Sequence, residues 1–122
     1  MTERGVSRRD IEALVGMPIG DLDLYEHALR HRSLFRGVAT DGTESNERLE
    51  FLGDAVLDAV ISRRLFEDYP HAGEGWLTEV RSRLVRNDTL GERALAYDLG
   101  RFLVMGRGVD AQGGRERPAV LG

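Results

Sequence analysis

The segment ESNERLEFLGDAVLDAVI, residues 44–61, constrains the fold more than any other part of the chain. It has the apolar content of a helix, and it also carries several acids. A rotation of about 100° per residue places these acids on one narrow stripe, with a mostly apolar surface around the rest of the helix. Such a helix belongs in the middle of a helical bundle. The four acids are Glu47, Glu50, Asp54 and Asp58.

The acidic stripe needs a compensating positive charge. Like charges three or four residues apart on a helix destabilise it by roughly 0.2–0.5 kcal/mol per pair, and by more when desolvation is added. Arg48 points about 100° away from the stripe, so a divalent cation is the natural compensation. Oxygen ligands favour Mg²⁺ or Mn²⁺ over zinc. A solvated helix face is the ordinary alternative, and the stripe alone leaves both interpretations open.

Helical periodicity and capping residues predict an all-α fold for the rest of the chain. The predicted caps are a Ser7–Asp10 pair with Gly16 as terminator for the first helix, Asn46 for the long helix, and Asn87 or Asp88 for the helix that follows residue 85. Residues 31–45 and 106–114 are polar or glycine-rich and are predicted to be loops. Residues 102–105 form a short apolar segment. The predicted helices cover residues 7–15, 22–30, 46–69 and 76–85, a segment from 87 or 88 to a terminator at Gly100, and a last helix beginning at Arg117 and Pro118.

The composition fits one soluble globular domain of 122 residues, 41% hydrophobic and 31% charged. The net charge of −4 does not favour holding nucleic acid by bulk electrostatics, although all 17 basic residues are arginines and can form local phosphate-binding patches. No apolar run is long enough to cross a membrane, and the N-terminus lacks a signal-peptide core. The absence of cysteine fits a reducing cytoplasm, which is the location we expect.

NERLEFLGDAVL, residues 46–57, resembles the signature of the ribonuclease III family. Three further segments resemble the family in the same order, so that the resemblance spans nearly the whole chain. It implies an all-helical, Mg²⁺-dependent endonuclease domain that cuts double-stranded RNA during rRNA and mRNA processing. It also implies a homodimer with two sites in one valley, and products with 5′-phosphate and 3′-hydroxyl ends. The three segments are YEHALRHRS, EGWLTEVRSRLVRNDTL and LVMGRGVDAQGGRERPAVL.

The resemblance carries roles onto five residues. Glu50 is expected to be a metal ligand, and Asp54 is expected to be a ligand and the residue most directly needed for catalysis. Glu47 and Glu74 match acidic positions that line the RNA-binding valley. Phe51 matches an aromatic residue at the dimer interface, although ordinary core packing would explain it too.

The expected chemistry requires no side-chain nucleophile. Mg²⁺ held by the two carboxylate ligands would lower the pKa of a coordinated water and neutralise charge on the scissile phosphate. Asp58 lies beyond the signature and receives no role from the resemblance. The histidines are not catalytic candidates on this scheme: His27, His31 and His71.

The sequence departs from the family pattern after Leu121. The family's second acidic cluster, an Asp and a Glu three residues apart, directly follows the segment that matches residues 119–121, but this sequence ends at Gly122. We therefore expect residues 1–122 to be an incomplete catalytic domain that lacks its C-terminal helices and any double-stranded-RNA-binding domain. The alternatives are a catalytically inert relative that binds RNA or dimerises, and a helical interaction domain unrelated to RNA.

Overall fold

The computed structural model describes residues 6–122, with the side chains at positions 118 and 119 left out. Helices are the only regular elements in this range, and a single parallel bridge joins Arg30 to Val104, which confirms the predicted all-α class. Short 3₁₀ turns follow α2, α5 and α6. The helices are α1 (Arg8–Val15), α2 (Leu22–Ala28), α3 (Glu47–Asp68), α4 (Glu74–Leu84), α5 (Asn87–Ala96), α6 (Arg107–Ala111) and α7 (Pro118–Leu121).

The ends of α1 confirm the sequence prediction. The Ser7 hydroxyl accepts a hydrogen bond from the Asp10 amide at 3.1 Å, and the Asp10 carboxylate accepts one from the Ser7 amide at 3.2 Å. This reciprocal pair satisfies amides that the helix itself cannot use. Gly16 ends the helix at a φ of 73°, a left-handed conformation that suits glycine. Ile11 is the buried contact of α1 with the rest of the chain.

The predicted central position of α3 is wrong for the described chain. The helix has the expected bounds, but most of its apolar side is exposed: Leu52 is 58% exposed, Val56 55% and Val60 58%. Its less exposed apolar residues, among them Ile61 and Leu65, continue the acidic stripe toward the C-terminal end. The physical reason is that α4 is the main described element packed on α3, and it covers only that side.

The segment from α5 to α7 packs as one unit around Arg115. The Arg115 guanidinium binds the Asp110 carboxylate through two nitrogens, at 2.7 and 3.1 Å. It also donates to the carbonyl oxygens of Gly100 at 2.8 Å and Leu103 at 2.5 Å. The predicted loop of residues 106–114 therefore contains an ordered helical turn, α6, which is held by an arginine outside it.

The predicted cap and terminator of α5 are wrong. The helix begins at Asn87, but its N-cap is Arg86 and not Asn87 or Asp88, and Gly100 is not the terminator because α5 ends at Ala96. Gly100 has another role. A Cβ atom there would lie 2.1 Å from the Arg115 carbonyl oxygen, so the position requires glycine for close approach of two backbones. Sequence spacing cannot reveal such a contact.

Smaller differences concern α2 and α4. The second helix ends at Ala28, and a 3₁₀ turn at Arg32–Phe35 begins the predicted loop. The fourth helix starts at Glu74, two residues before the predicted start. Within residues 6–122, no helix combines the length and the apolar character needed to cross a membrane.

Candidate acidic site

A cleft of about 430 Å³ lies beside the first turns of α3. Glu47 and Glu50 line it from α3, and His31 and Arg32 line it from the segment after α2. Apolar residues form much of the opposite wall: Leu99, Leu103, Val120 and Leu121. The fold therefore brings two acids of the stripe to a cavity that also contains a histidine and an arginine.

The first turn of α3 is anchored to the end of α2. The Asn46 amide donates to the Arg30 carbonyl oxygen at 2.9 Å, and the Asn46 side chain donates to the Ala28 carbonyl oxygen at 2.9 Å. The His27 ring lies 2.7 Å from the Ser45 carbonyl oxygen. Asn46 occupies the predicted N-cap position, but its side chain makes no capping bond to α3. These contacts fix the direction of α3 and so place Glu47 and Glu50 on the cleft.

Glu47 has partners within the chain. Its carboxylate accepts a hydrogen bond from the Ser45 hydroxyl at 3.1 Å and forms an ion pair with Arg32 at 3.8 Å. Both members of the ion pair are exposed, so the pair contributes at most about 1 kcal/mol to stability. Arg32 can therefore move to another anion at little cost.

Glu50 and Asp54 lie one helical turn apart, and both side chains are exposed. Neither carboxylate forms a hydrogen bond or an ion pair with the described part of the chain. Glu50 reaches the cleft, whereas Asp54 lies outside its lining. These two carboxylates are free to accept a ligand from solvent.

The other two predicted site residues lie away from the cleft. Glu74 begins α4, where its carboxylate accepts a hydrogen bond from the Thr78 hydroxyl at 2.8 Å. Phe51 projects from α3 with 82% of its surface exposed, so it is not a core residue of the described chain. No group of three or more Asp, Glu or His side chains in residues 6–122 could hold a metal ion by itself.

Comparison with known proteins decides the family. The family described as Ribonuclease-III-like matches residues 21–122. This chain belongs to the ribonuclease III-like family. Among its relatives, Ribonuclease 3 of Dehalococcoides mccartyi is 45% identical over 112 residues, covering 92% of this chain and 47% of the relative. Ribonuclease 3 of Roseiflexus sp. is 40% identical, with 92% and 48% covered.

Solved nuclease domains share the fold of this ribonuclease III-like chain. The nuclease domain of ribonuclease III from Campylobacter jejuni superposes with a TM-score of 0.79 at 34% identity, covering 99% of this chain and 76% of that one. A second structure of that domain, at a TM-score of 0.78 and 36% identity, covers 91% and 73% and is described as flexible in a region involved in dimer formation. The chain spans about half the length of the curated relatives it matches.

His31 is the cleft residue that sequence reasoning missed in this ribonuclease III-like chain. Burial is the main cause that lowers the pKa of His31 below its usual 6.5, and Arg32 adds to this effect. Glu47 and Glu50 act on its pKa in the opposite direction. The available signal was the segment YEHALRHRS, which carries part of the family resemblance and ends two residues after His31.

A smaller cavity of about 240 Å³ lies on the other side of Glu47. Arg32 and Arg36 both line it, together with the Thr40 side chain. Two arginines and one glutamate, Glu47, therefore line this cavity next to the acidic stripe. Arginine side chains are suitable ligands for phosphate groups of a nucleic-acid backbone.

Proposed function

We propose that this chain is the catalytic part of an endoribonuclease that uses Mg²⁺, or Mn²⁺, to cut double-stranded RNA. The observation that carries the proposal is the pair of unpartnered carboxylates, Glu50 and Asp54, one turn apart on the family's signature helix. Their oxygens are suitable ligands for a hard cation, and water and phosphate oxygens would complete its coordination. The family membership supports the reaction class.

The proposed roles of the chain's own residues follow from their positions. Glu50 and Asp54 would hold the ion against the scissile phosphate. A bound Mg²⁺ supplies an activated water and neutralises charge on that phosphate. Glu47 and Glu74 would line the RNA-binding valley, while Arg32 and its neighbours would contact backbone phosphates. Attack by water would leave 5′-phosphate and 3′-hydroxyl ends.

The replacement Asp54→Asn tests this function. It removes the charge of one ligand and keeps the shape of the side chain, so we expect near-total loss of duplex cleavage with RNA binding retained. Asp58→Asn is the matched control, because Asp58 is also exposed on the same helix and has no proposed role. Each replacement is made in a longer nuclease domain that contains residues 1–122, and cleavage is measured on a labelled RNA duplex with Mg²⁺. Unchanged cleavage by Asp54→Asn would contradict the proposal.

The alternative function is a catalytically inert module that binds RNA or dimerises. It is favoured because no group of three or more Asp, Glu or His side chains in residues 6–122 is arranged to hold a metal ion. It predicts duplex binding that is independent of Mg²⁺, with no cleavage at any Mg²⁺ or Mn²⁺ concentration. The same binding and cleavage assays therefore separate the two candidates.

We also propose that the protein acts as a homodimer through Phe51. The family resemblance puts an aromatic residue of the dimer interface at this position, and the Phe51 side chain is 82% exposed, which leaves it available to another molecule. Phe51→Ala should lower the dimer fraction in sedimentation experiments and leave the stability of one chain unchanged. Phe66→Ala is the control, because Phe66 is 73% exposed at the far end of the same helix. A dimer fraction unaffected by Phe51→Ala would contradict this interface.

Finally, we propose that residues 1–122 are part of a larger nuclease domain. The support is the exposed apolar row of Leu52, Val56 and Val60, which lies opposite the acidic stripe and needs a covering surface. The chain also covers 76% and 73% of the two solved nuclease domains. Protein that contains only residues 1–122 should therefore bind a hydrophobic dye more strongly than a longer nuclease domain does.

A further inference from the structure

Two buried serines are among the residues that line the smaller cavity, which has a volume of about 240 Å³. Ser33 is 8% exposed and Ser45 is 4% exposed. The Ser33 hydroxyl accepts a hydrogen bond from the Gly106 amide at 2.8 Å and lies 2.8 Å from Nδ1 of His31. A Cβ atom on Gly106 would lie 2.5 Å from the Ser33 carbonyl oxygen, so this approach requires glycine. A contact with a distant part of the chain therefore fixes the 3₁₀ turn at Arg32–Phe35.

Two arginines at the ends of this turn line the same cavity. Arg32 is the first residue of the turn, and Arg36 is its C-cap, where its amide donates to the Ser33 carbonyl oxygen at 3.4 Å. The Arg36 guanidinium forms no hydrogen bond or ion pair with the described part of the chain. Arg32 forms an ion pair with Glu47, and both members are exposed. A guanidinium presents a planar fork of donors that matches phosphate oxygens, so both arginines can bind an anion in this cavity.

The donors of this cavity already bind one anion, the Glu47 carboxylate. One of its oxygens accepts a hydrogen bond from the Ser45 hydroxyl at 3.1 Å, and the other pairs with Arg32 at 3.8 Å. Arg32 and Glu47 line the acidic cleft as well as the smaller cavity. Because the ion pair is exposed and therefore weak, an external anion can displace the carboxylate from both donors at little cost.

The loop before α3 adds no further carboxylate to this cavity. Asp41 accepts hydrogen bonds from the Thr43 amide at 3.0 Å and the Thr43 hydroxyl at 2.6 Å. Glu44 accepts a hydrogen bond from the Thr40 hydroxyl. Thr40 lines the cavity, whereas neither of these acids does. Among the described residues, Glu47 is therefore the single acid that an entering anion would meet there.

We propose that the smaller cavity binds a phosphate group of an RNA strand. Arg32, Arg36 and the Ser45 hydroxyl hold the phosphate, and Glu47 is the internal anion that the phosphate displaces. This inference rests on the proposed function, in which the chain binds duplex RNA, and it requires no metal ion. It adds to that function a defined place for one phosphate and a competition between this phosphate and Glu47.

The first measurement is the binding of inorganic phosphate without metal, followed by ¹⁵N–¹H chemical shifts in the longer nuclease domain that the cleavage test uses. The Ser45 amide should shift saturably with phosphate concentration. Arg36→Gln should weaken phosphate binding roughly tenfold, because one charge-assisted hydrogen bond is lost. Arg48→Gln is the matched control, because Arg48 is exposed and lines neither cavity. Absence of saturable shifts, or equal losses in the two variants, would overturn the inference.

The second measurement tests the competition with Glu47. Glu47→Gln should strengthen phosphate binding by up to roughly fivefold, because the internal anion is removed. Glu50→Gln should have a smaller effect, since Glu50 does not line this cavity. In an Arg32→Gln background most of the gain from Glu47→Gln should disappear, because the two residues act as a pair. Equal gains from Glu47→Gln and Glu50→Gln would show a general charge effect and contradict displacement.

The third measurement, with duplex RNA, identifies the source of the phosphate. Duplex affinity is measured without metal over a range of KCl concentrations. Arg36→Gln should lower the slope of log affinity against log salt by about 1, equally for duplexes of different sequence. Arg36→Lys should keep this slope but bind inorganic phosphate more weakly, because lysine keeps the charge and lacks the fork. An unchanged slope for Arg36→Gln would show that the cavity takes only free phosphate or a phosphate monoester, and would overturn its role in RNA binding.

The outcomes separate this inference from the proposed function. If Asp54→Asn leaves cleavage unchanged but Arg36→Gln lowers the salt slope, the catalytic assignment is wrong and the phosphate site stands. If Arg36→Gln changes neither phosphate affinity nor the salt slope, the phosphate site is wrong and the cleavage proposal stands. If the wild-type protein binds no duplex RNA, both are wrong.

Discussion

Replacing Gly100 with alanine should destabilise this ribonuclease III-like chain through a steric clash. The loss of stability should exceed the effect of glycine's backbone freedom alone. The added Cβ atom would meet three backbone atoms of Arg115, with the carbonyl oxygen at 2.1 Å, the carbonyl carbon at 3.0 Å and the Cα at 3.3 Å. None of these is the end of a flexible side chain. The clash must therefore be relieved by moving the backbone.

The size of the effect follows from what the movement would disturb. A normal contact requires a shift of about 1 Å, and overpacking of a buried site costs roughly 1–3 kcal/mol. The carbonyl oxygen of Gly100 also accepts a hydrogen bond from the Arg115 guanidinium at 2.8 Å, so the backbone shift would strain that hydrogen bond as well. We expect Gly100→Ala to lower the free energy of unfolding by about 3 kcal/mol, the upper end of that range.

Gly53→Ala is the matched control. Gly53 lies in the interior of α3, and an added Cβ atom there would meet no heavy atom within 4 Å. Alanine should therefore stabilise the isolated chain by about 1 kcal/mol through helix propensity. The assay is urea unfolding followed by circular dichroism for both variants. An unfolding free energy for Gly100→Ala equal to that of the wild type would refute the argument from close backbone approach.

Two further predictions concern α1 and His31. Ser7→Ala removes the N-cap acceptor and should lower the unfolding free energy by about 1 kcal/mol in the same urea assay, and an unchanged midpoint would contradict the cap. Burial lowers the folded-state pKa of His31 below 6.5, so the unfolded chain binds the proton more tightly. The His31 contribution to stability is therefore complete above pH 6.5 and is lost as the pH falls toward the folded-state pKa. The unfolding free energies of the wild type and His31→Asn are measured at pH 5 and pH 8. The wild-type value should change relative to that of His31→Asn in favour of the variant at pH 5. An equal difference at both pH values would contradict the lowered pKa of His31.

The helix ends that could be predicted from sequence depend on neighbouring residues. Ser7, Asp10 and Gly16 act within one or two turns of α1, so their spacing was enough to give both ends of the helix. The start of α3 was also predicted, although the Asn46 side chain bonds to the Ala28 carbonyl oxygen and does not cap the helix. Gly100 was misassigned because its defining neighbour, Arg115, lies in a different 3₁₀ turn on the other side of α6.

The candidate site was predictable only where it lies on one helix. Helical periodicity was enough to put Glu50 and Asp54 on one side of α3, and the structure adds that both carboxylates lack partners. The place of His31 depends on Ser33 and on Gly106, whose amide lies 73 positions further along the chain. No local pattern contains that contact, and the expected chemistry, which requires no side-chain nucleophile, gave the histidines no role.

The exposed apolar row and the acidic stripe lie on opposite sides of α3, so one helix can provide a packing surface on one side and carboxylates on the other. In a surface helix of a globular protein, the acids would face water and the apolar row would face the core. Here Glu47 and Glu50 line the cleft and the same side of α3 continues into the buried Leu65, while Leu52 and Val56 face solvent. A surface that covers the apolar row would approach from the opposite side and leave the carboxylates open to RNA. Replacements in the apolar row should therefore change association or stability, whereas replacements at Glu50 should change metal binding and leave association unaltered.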